Sequence, residues 1–358
     1  MKIKSRLFAI GFLGLVAVFA LTSCGGGANM APKDVIQKFK ETVRGIQAAD
    51  LQVDAVMKSA DAKDNLSLNV GVGAKFDHRD GVDRKGDLRL KLDGSLLAGG
   101  KTLDGNLDLD IRTLGDAFYF NIAKLESSDP AMEKYKEVID GYKGKWLHLA
   151  SDFVPESLKQ FQNRDEKTLA KEKQVKDIFV STNLFEVNKE FGVESLNGTK
   201  VYHYGVKLNE DGLKDYVRQT AQVDGREMSD AEVAQASDFV KTVNNIELWI
   251  GVNDFYLYKG VASLTGTSLE NGMKTDLNIN YVGNNYNTDP KIQTLESPEE
   301  FNPVTLMMQL QLLNPPEAQP VAGAEATTPA TTTAPTEKSP VTKVVPEAKK
   351  IPPATTKK

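Results

Sequence analysis

Between residues 51 and 111 the chain alternates. Leu51, Val53, Ala55 and Met57 are apolar at every second position. So are Leu66, Leu68, Val70, Val72, Ala74 and Phe76, then Leu88, Leu90 and Leu92, then Leu103, Leu107, Leu109 and Ile111. The positions between are polar, among them Asp87, Arg89, Lys91 and Asp93, and Asp104, Asn106, Asp108, Asp110 and Arg112. Successive side chains of a strand point to opposite faces. A period of two therefore predicts antiparallel strands with one apolar and one wet face. His78-Arg79-Asp80-Gly81, Ala98-Gly99-Gly100 and Gly115-Asp116 supply the turns between them.

Further strands are expected at 115–122 and 145–149. A hairpin is expected over 184–196 and 200–208, turning at Asn197-Gly198, a strong short-range hairpin signal. The last strands fall at 246–252, 255–269 and 273–282. Helices interrupt this series. The first spans 32–48, with Pro32 in its first turn and Val35, Ile36, Phe39, Val43 and Ile46 forming one stripe. Others are expected at 130–140, 155–182, 210–221 and 229–244, the last opened by the capping pattern Ser229-Asp230-Ala231-Glu232. A closing helix over 298–313 carries Leu306, Met307, Leu310, Leu312 and Leu313. About ten or eleven strands with helices inserted rather than alternating predict an α+β fold. It is one large antiparallel sheet with helices packed on its greasy face.

The N-terminus follows a different rule. Lys2, Lys4 and Arg6 precede an apolar run from Leu7 to Ala20, which ends in Leu21-Thr22-Ser23-Cys24. A basic start, a short apolar stretch and small residues before a cleavage point make a secretory signal, shorter than a membrane span needs. The small residues followed at once by cysteine resemble the bacterial lipobox. That resemblance implies a diacylglyceryl thioether on Cys24 and cleavage before it. Two or more acyl chains anchor a protein stably where one does not. Residues 1–23 are then a lipoprotein signal peptide, and 24–29 the lipidated cysteine with a Gly-rich leash. The expected location is extracytoplasmic, on the outer face of the cell membrane or the periplasmic side of an outer membrane.

From Pro315 onward lie nine of the 15 prolines, with Thr, Ala, Lys and Glu and no aromatic residue. Such a segment cannot bury enough apolar surface to order itself, so 315–358 is expected to be a disordered tail. One domain, 30–314, remains between signal and tail.

Composition narrows the function. The chain has 358 residues, one cysteine, three histidines and a formal charge of −5. One cysteine excludes an intrachain disulfide framework and a thiolate-rich zinc site. An acidic balance argues against nucleic acid as partner. Losing Lys2, Lys4 and Arg6 with the signal makes the mature chain more acidic still.

The order of motifs carries a further resemblance. After the lipobox and the amphipathic helix come Gly144-Lys145-Trp146-Leu147-His148-Leu149, then Asn197-Gly198 followed by His203-Tyr204, then Trp249-Ile250 after a helix. This resembles the LppX/LprG-type lipoproteins of the LolA/LolB-like superfamily over about residues 30–300. The resemblance implies a curved, half-open antiparallel barrel whose concave face, capped by helices, holds acyl chains of a lipid or lipoprotein.

Candidate chemistry is sparse. His203 between Tyr202 and Tyr204, His148 beside Trp146, and His78 in a turn read as packed or turn residues. No G-x-S-x-G elbow, P-loop, G-x-G-x-x-G or H-E-x-x-H is present. Asp104, Asn106, Asp108 and Asp110 imitate a calcium loop, but its required Gly and Glu positions hold Leu109 and Gly115. They read as the wet face of a strand, paired across to Arg and Lys. No enzyme, metal or cofactor is expected. Phe118, Phe120, Trp146, Tyr204, Phe255 and Tyr258 are the candidate lining of a lipid cavity, and an ordinary core explains them equally well. Two functions stay open. One is a lipid or lipoprotein carrier held to the membrane through Cys24. The other is a structural lipoprotein displaying a surface, its tail reaching the wall or a cell-envelope protein partner.

Overall fold

The computed structural model describes residues 30–61, 64–80, 84–154, 166–267 and 274–313. The signal peptide, Cys24 with its leash, the tail and the first part of the helix expected at 155–182 lie outside the described residues.

Among the described residues twelve strands form one open sheet. In chain order they are β1 Ala48–Ala60, β2 Asn65–Asp77, β3 Lys85–Ala98, β4 Lys101–Leu114, β5 Ala117–Ser127, β6 Leu147–Leu149, β7 Phe185–Leu196, β8 Thr199–Leu208, β9 Val243–Gly251, β10 Leu257–Thr267, β11 Lys274–Asn284 and β12 Glu299–Phe301. Across the sheet they run β12-β6-β5-β4-β3-β2-β1-β11-β10-β9-β8-β7. Among the described residues six helices accompany them: α1 Pro32–Thr42, α2 Lys136–Asp140, α3 Glu166–Ser181, α4 Glu210–Val223, α5 Asp230–Thr242 and α6 Pro303–Leu313. The architecture is the expected α+β curved sheet. Among the described residues no helix is long and apolar enough to cross a membrane.

The register explains why alternation was so clear. Val72 of β2 faces Val53 of β1 and Leu90 of β3, which faces Leu109 of β4. Val53 faces Tyr281 of β11, which faces Gly260 of β10, then Leu248 of β9 and Tyr204 of β8. One apolar face thus crosses the sheet without interruption. On the opposite face Arg89 pairs with Asp110 at 2.7 Å and Lys91 with Asp108 at 3.4 Å. Asp108 and Asp110 of the calcium-like run are therefore held in cross-strand ion pairs, while Asn106 faces Asp93 and Asp104 faces Ser95.

Three boundaries differ from the sequence expectation. The first helix stops at Thr42, followed by one tight turn at Val43–Gly45. The chain then turns extended, because Ala48 and Ala49 are already buried in β1. Phe255 takes a left-handed φ of 56°, so β10 starts only at Leu257. Residues 299–301, expected as helix, form β12, and the helix begins at Pro303 with Asn302 Oδ1 accepting from the amide of Val304. β12 runs parallel to β6, which makes the sheet mixed rather than wholly antiparallel. A three-residue strand is too short to show a period. The hairpin turns where expected, with Asn197 and Gly198 at φ of 50° and 85°.

Candidate functional site: an apolar face covered on one half

The helices cover only part of the apolar face. Val35, Ile36 and Phe39 of α1, Phe179 of α3, and Leu213 and Tyr216 of α4 pack on Tyr202, Tyr204 and Val206 of β8. Ile246, Leu248 and Ile250 of β9, and Tyr281 of β11, belong to the same cluster, with Phe239 of α5 against it. The sheet residues under these helices are buried: Leu248 is 2% exposed and Ile250 0%.

Among the described residues, no helix covers the same face on β2, β3 and β4 in this way. Leu66, Leu68, Val70, Val72, Leu90, Leu92, Leu107 and Leu109 are half-buried, and Leu88, Leu96 and Leu103 are exposed. On the far side of this stretch Phe301 packs edge-on against Phe120 of β5, with ring centroids 4.9 Å apart. Phe120 shares the face of its partner Ile111. The result is a trough. Its floor is β2–β4, one wall is the helical cluster over β8–β11, and the other is β12 with the start of α6.

Within the helix-covered half, between α5 and strands β7–β11, a cavity of about 60 Å³ opens between Phe185, Leu208, Phe239, Val243, Ile246, Leu248, Leu257, Ala262, Leu264, Ile279 and Tyr281. Ligand sites are typically ~300–1,000 Å³. A ligand of that size has to lie in the trough, or the helices have to shift.

The six aromatics proposed from sequence are not brought together. Tyr204 and Phe255 sit in the helix-covered core. Phe118 and Phe120 belong to a separate cluster with Leu149 and Val154. Tyr258 joins a third, beside Tyr256 and Tyr286. Trp146 carries the Arg112 guanidinium over its ring at 4.7 Å. None of the six lines the small cavity. The floor residues were visible only as alternation; what marks them is the lack of a helix above them, a tertiary property.

The histidines are held in packing and polar contacts. His203 lies between Phe191 and Trp249, at ring distances of 4.0 and 4.1 Å, with Nε2 2.8 Å from Glu247. His148 meets Glu300 at 2.8 Å and tilts against Tyr119. His78 tilts against Phe76. Hydrogen bonds from Asn245 and then His203 hold the Glu247 carboxyl below its ordinary range, against some burial. Burial pushes the phenols of Tyr204 and Tyr216 up to about 12. Among the described residues no cluster suited to a metal ion occurs.

No protein-family model matches the sequence, and no curated protein does. Among solved structures the chain is similar to Mycobacterium tuberculosis lipoprotein LppX. That match covers 74% of this chain and 100% of the other, at 8% identity and a TM-score of 0.25. A DUF1329 family protein from Desulfovibrio piger matches over 73% of this chain and 94% of its own, at 10% identity and TM-score 0.18. A putative outer membrane lipoprotein-sorting protein domain from Vibrio parahaemolyticus matches over 69% and 88%, at 12% and 0.14. At such scores the likenesses identify neither a ligand nor an activity for this chain.

Proposed function

We propose that the chain is a membrane-anchored, extracytoplasmic lipoprotein that binds acyl chains of a lipid, or of another lipoprotein, along the trough floor. One observation carries this: the apolar face is continuous across the sheet, yet helices cover only the β8–β11 half. An apolar face left uncovered is a standing free-energy loss of about 25 cal/mol per Å². Soluble proteins keep large apolar patches where something binds them. Acyl chains ask for no polar partner, and the floor offers none. Of the six aromatics, Phe118 and Phe120 stand nearest to this role, on the β5 side of the floor.

The anchor is Cys24. Intact-mass analysis of the protein from membranes should find Cys24 as first residue, carrying acyl groups. An unmodified Cys24 would refute the anchor.

Native mass spectrometry of the full chain released from membranes tests the ligand. The expected result is one or more lipid adducts, removed by delipidation and regained from phospholipid micelles. A chain that neither carries lipid nor takes it up refutes the carrier. The small size of the cavity under the helices favours the second function, a surface-displaying module, and that result would support it.

A further inference from the structure

The most unusual surface in the molecule is α6, Pro303-Val304-Thr305-Leu306-Met307-Met308-Gln309-Leu310-Gln311-Leu312-Leu313. It contains no charged residue, and none of its residues is buried. A surface helix normally turns its apolar stripe inward and its charges outward. Here Pro303, Leu306 and Leu310 are half-buried, at the spacing of one face. The other side is uncharged and exposed, with Val304, Met307, Met308 and Leu312 interleaved with Thr305, Gln309 and Gln311. Met307 and Met308 are each 60% exposed and Leu312 81%.

The helix is held in this position. Asn302 caps its start. The Tyr142 hydroxyl donates to Gln309 at 3.3 Å, and Tyr142 also packs on Phe301 at 5.6 Å. Phe301, two residues before the helix, is the residue that meets Phe120 at the margin of the trough. The exposed apolar face of α6 therefore stands beside the open, apolar side of the sheet.

We infer that α6 is a bilayer-docking element, which seats its Met307–Met308–Leu312 face in the acyl boundary and brings the trough mouth to the lipid. The inference rests on the proposed membrane-anchored lipid binder. Two observations single out a lipid surface as the occupant. First, only Gly25-Gly26-Gly27-Ala28-Asn29 separate Cys24 from Met30, where the described body starts. At about 3.5 Å per residue this leash reaches about 20 Å, so an anchored body stays close to the membrane, with the leash entering beside β8 and α6 at the β12 edge free to turn onto the same surface. Second, an eleven-residue helix is about 16 Å long and about 10 Å wide. Its outward face falls well short of the ~800 Å² per partner of a stable protein interface. A bilayer sets no such minimum, and a face without charge enters it without stripping water from an ion.

The test places p-benzoylphenylalanine at Leu312 and, in a second chain, at Lys91 on the wet face of β3. Each full chain is irradiated in phosphatidylcholine–phosphatidylglycerol vesicles and again in detergent without added lipid. Phospholipid adducts at position 312 should exceed those at position 91 at least tenfold in vesicles and fall away in detergent. Adducts that persist undiminished in detergent come from lipid bound in the trough and overturn the docking role. So do crosslinks to a second copy or another protein, crosslinks only within the chain, or equal yields at the two positions. Lipid adducts at 312 in a chain that shows no bound lipid by native mass spectrometry would refute the carrier and leave the docking helix standing.

Discussion

The ring of Phe301 meets the ring of Phe120 edge-on, 4.9 Å between centroids and 89° between planes. This contact joins the last strand, and the helix that follows it, to β5. Tyr142 packs on the other side of Phe301, so the ring is held between two aromatics. Replacing Phe301 with Ala removes both contacts. The change should cost about 1–3 kcal/mol in urea unfolding, since the residue is only half-buried. Hydrogen exchange should rise in α6 and leave β8 and β9 unchanged. Equal loosening of the whole sheet would show that the ring supports the core rather than the edge.

The two halves of the apolar face should answer differently to substitution. Leu248 lies under the helices and is 2% exposed, so Leu248→Ala should cost about 2–5 kcal/mol. Leu90 is one of its row-mates, half-buried on the open floor. Leu90→Gln should cost less than about 1 kcal/mol. It should nonetheless reduce bound lipid severalfold in native mass spectrometry. A Leu90→Gln chain with normal lipid content would remove the floor from the binding site.

Much of this sheet was legible in the sequence. Leu66 to Phe76 and Leu88 to Leu92 alternate because every second residue meets the same apolar face, and register follows from that. The Asn197-Gly198 turn was legible because only certain residues accept its positive φ. β12 was not, since three residues carry no period and its pairing with β6 joins segments some 150 residues apart. Nor was the trough. Leu90 and Leu248 read alike along the chain; only the placement of α1, α3, α4 and α5 makes one core and the other floor. Nor was the neighbour of Trp146 legible: its ring carries the Arg112 guanidinium, a contact between residues 34 positions apart.

Arg112 itself is expected to tolerate no conservative change. Its Nε donates to Asp87 Oδ2 at 3.1 Å, Nη1 to the carbonyl of Gln293 at 3.1 Å, and its plane covers Trp146. One side chain thus ties β3 and β4 to the segment between β11 and β12. Lysine keeps the charge but lacks the planar fork that serves three partners at once. Arg112→Lys should lower stability by about 1–2 kcal/mol. It should also increase proteolytic cleavage between residues 285 and 298. Unchanged cleavage there would show that the Gln293 contact does not hold the segment.

Six of the ten tyrosines share an environment that predicts alkaline behaviour. Burial raises Tyr204 and Tyr216 to about 12 and pushes Tyr202, Tyr258, Tyr281 and Tyr286 upward as well, from an ordinary 10.0. The sign follows from proton counts. Above pH 10 these phenols ionise in the unfolded chain and stay protonated in the folded one. The unfolded state then binds fewer protons, so stability falls as pH rises from 10 toward the raised values. Below pH 10 the six contribute no slope. Each contributes up to about 1.4 kcal/mol per pH unit within its window. Tyr281→Phe keeps the ring and removes one ionisable group, while the Tyr286 hydroxyl retains the carbonyl of Leu257. Its stability should therefore fall less steeply above pH 10 than that of the unaltered chain. Absorbance at 295 nm should show six phenols resisting ionisation until the sheet unfolds. All ten ionising together near pH 10 in a folded chain would contradict the buried tyrosine environment.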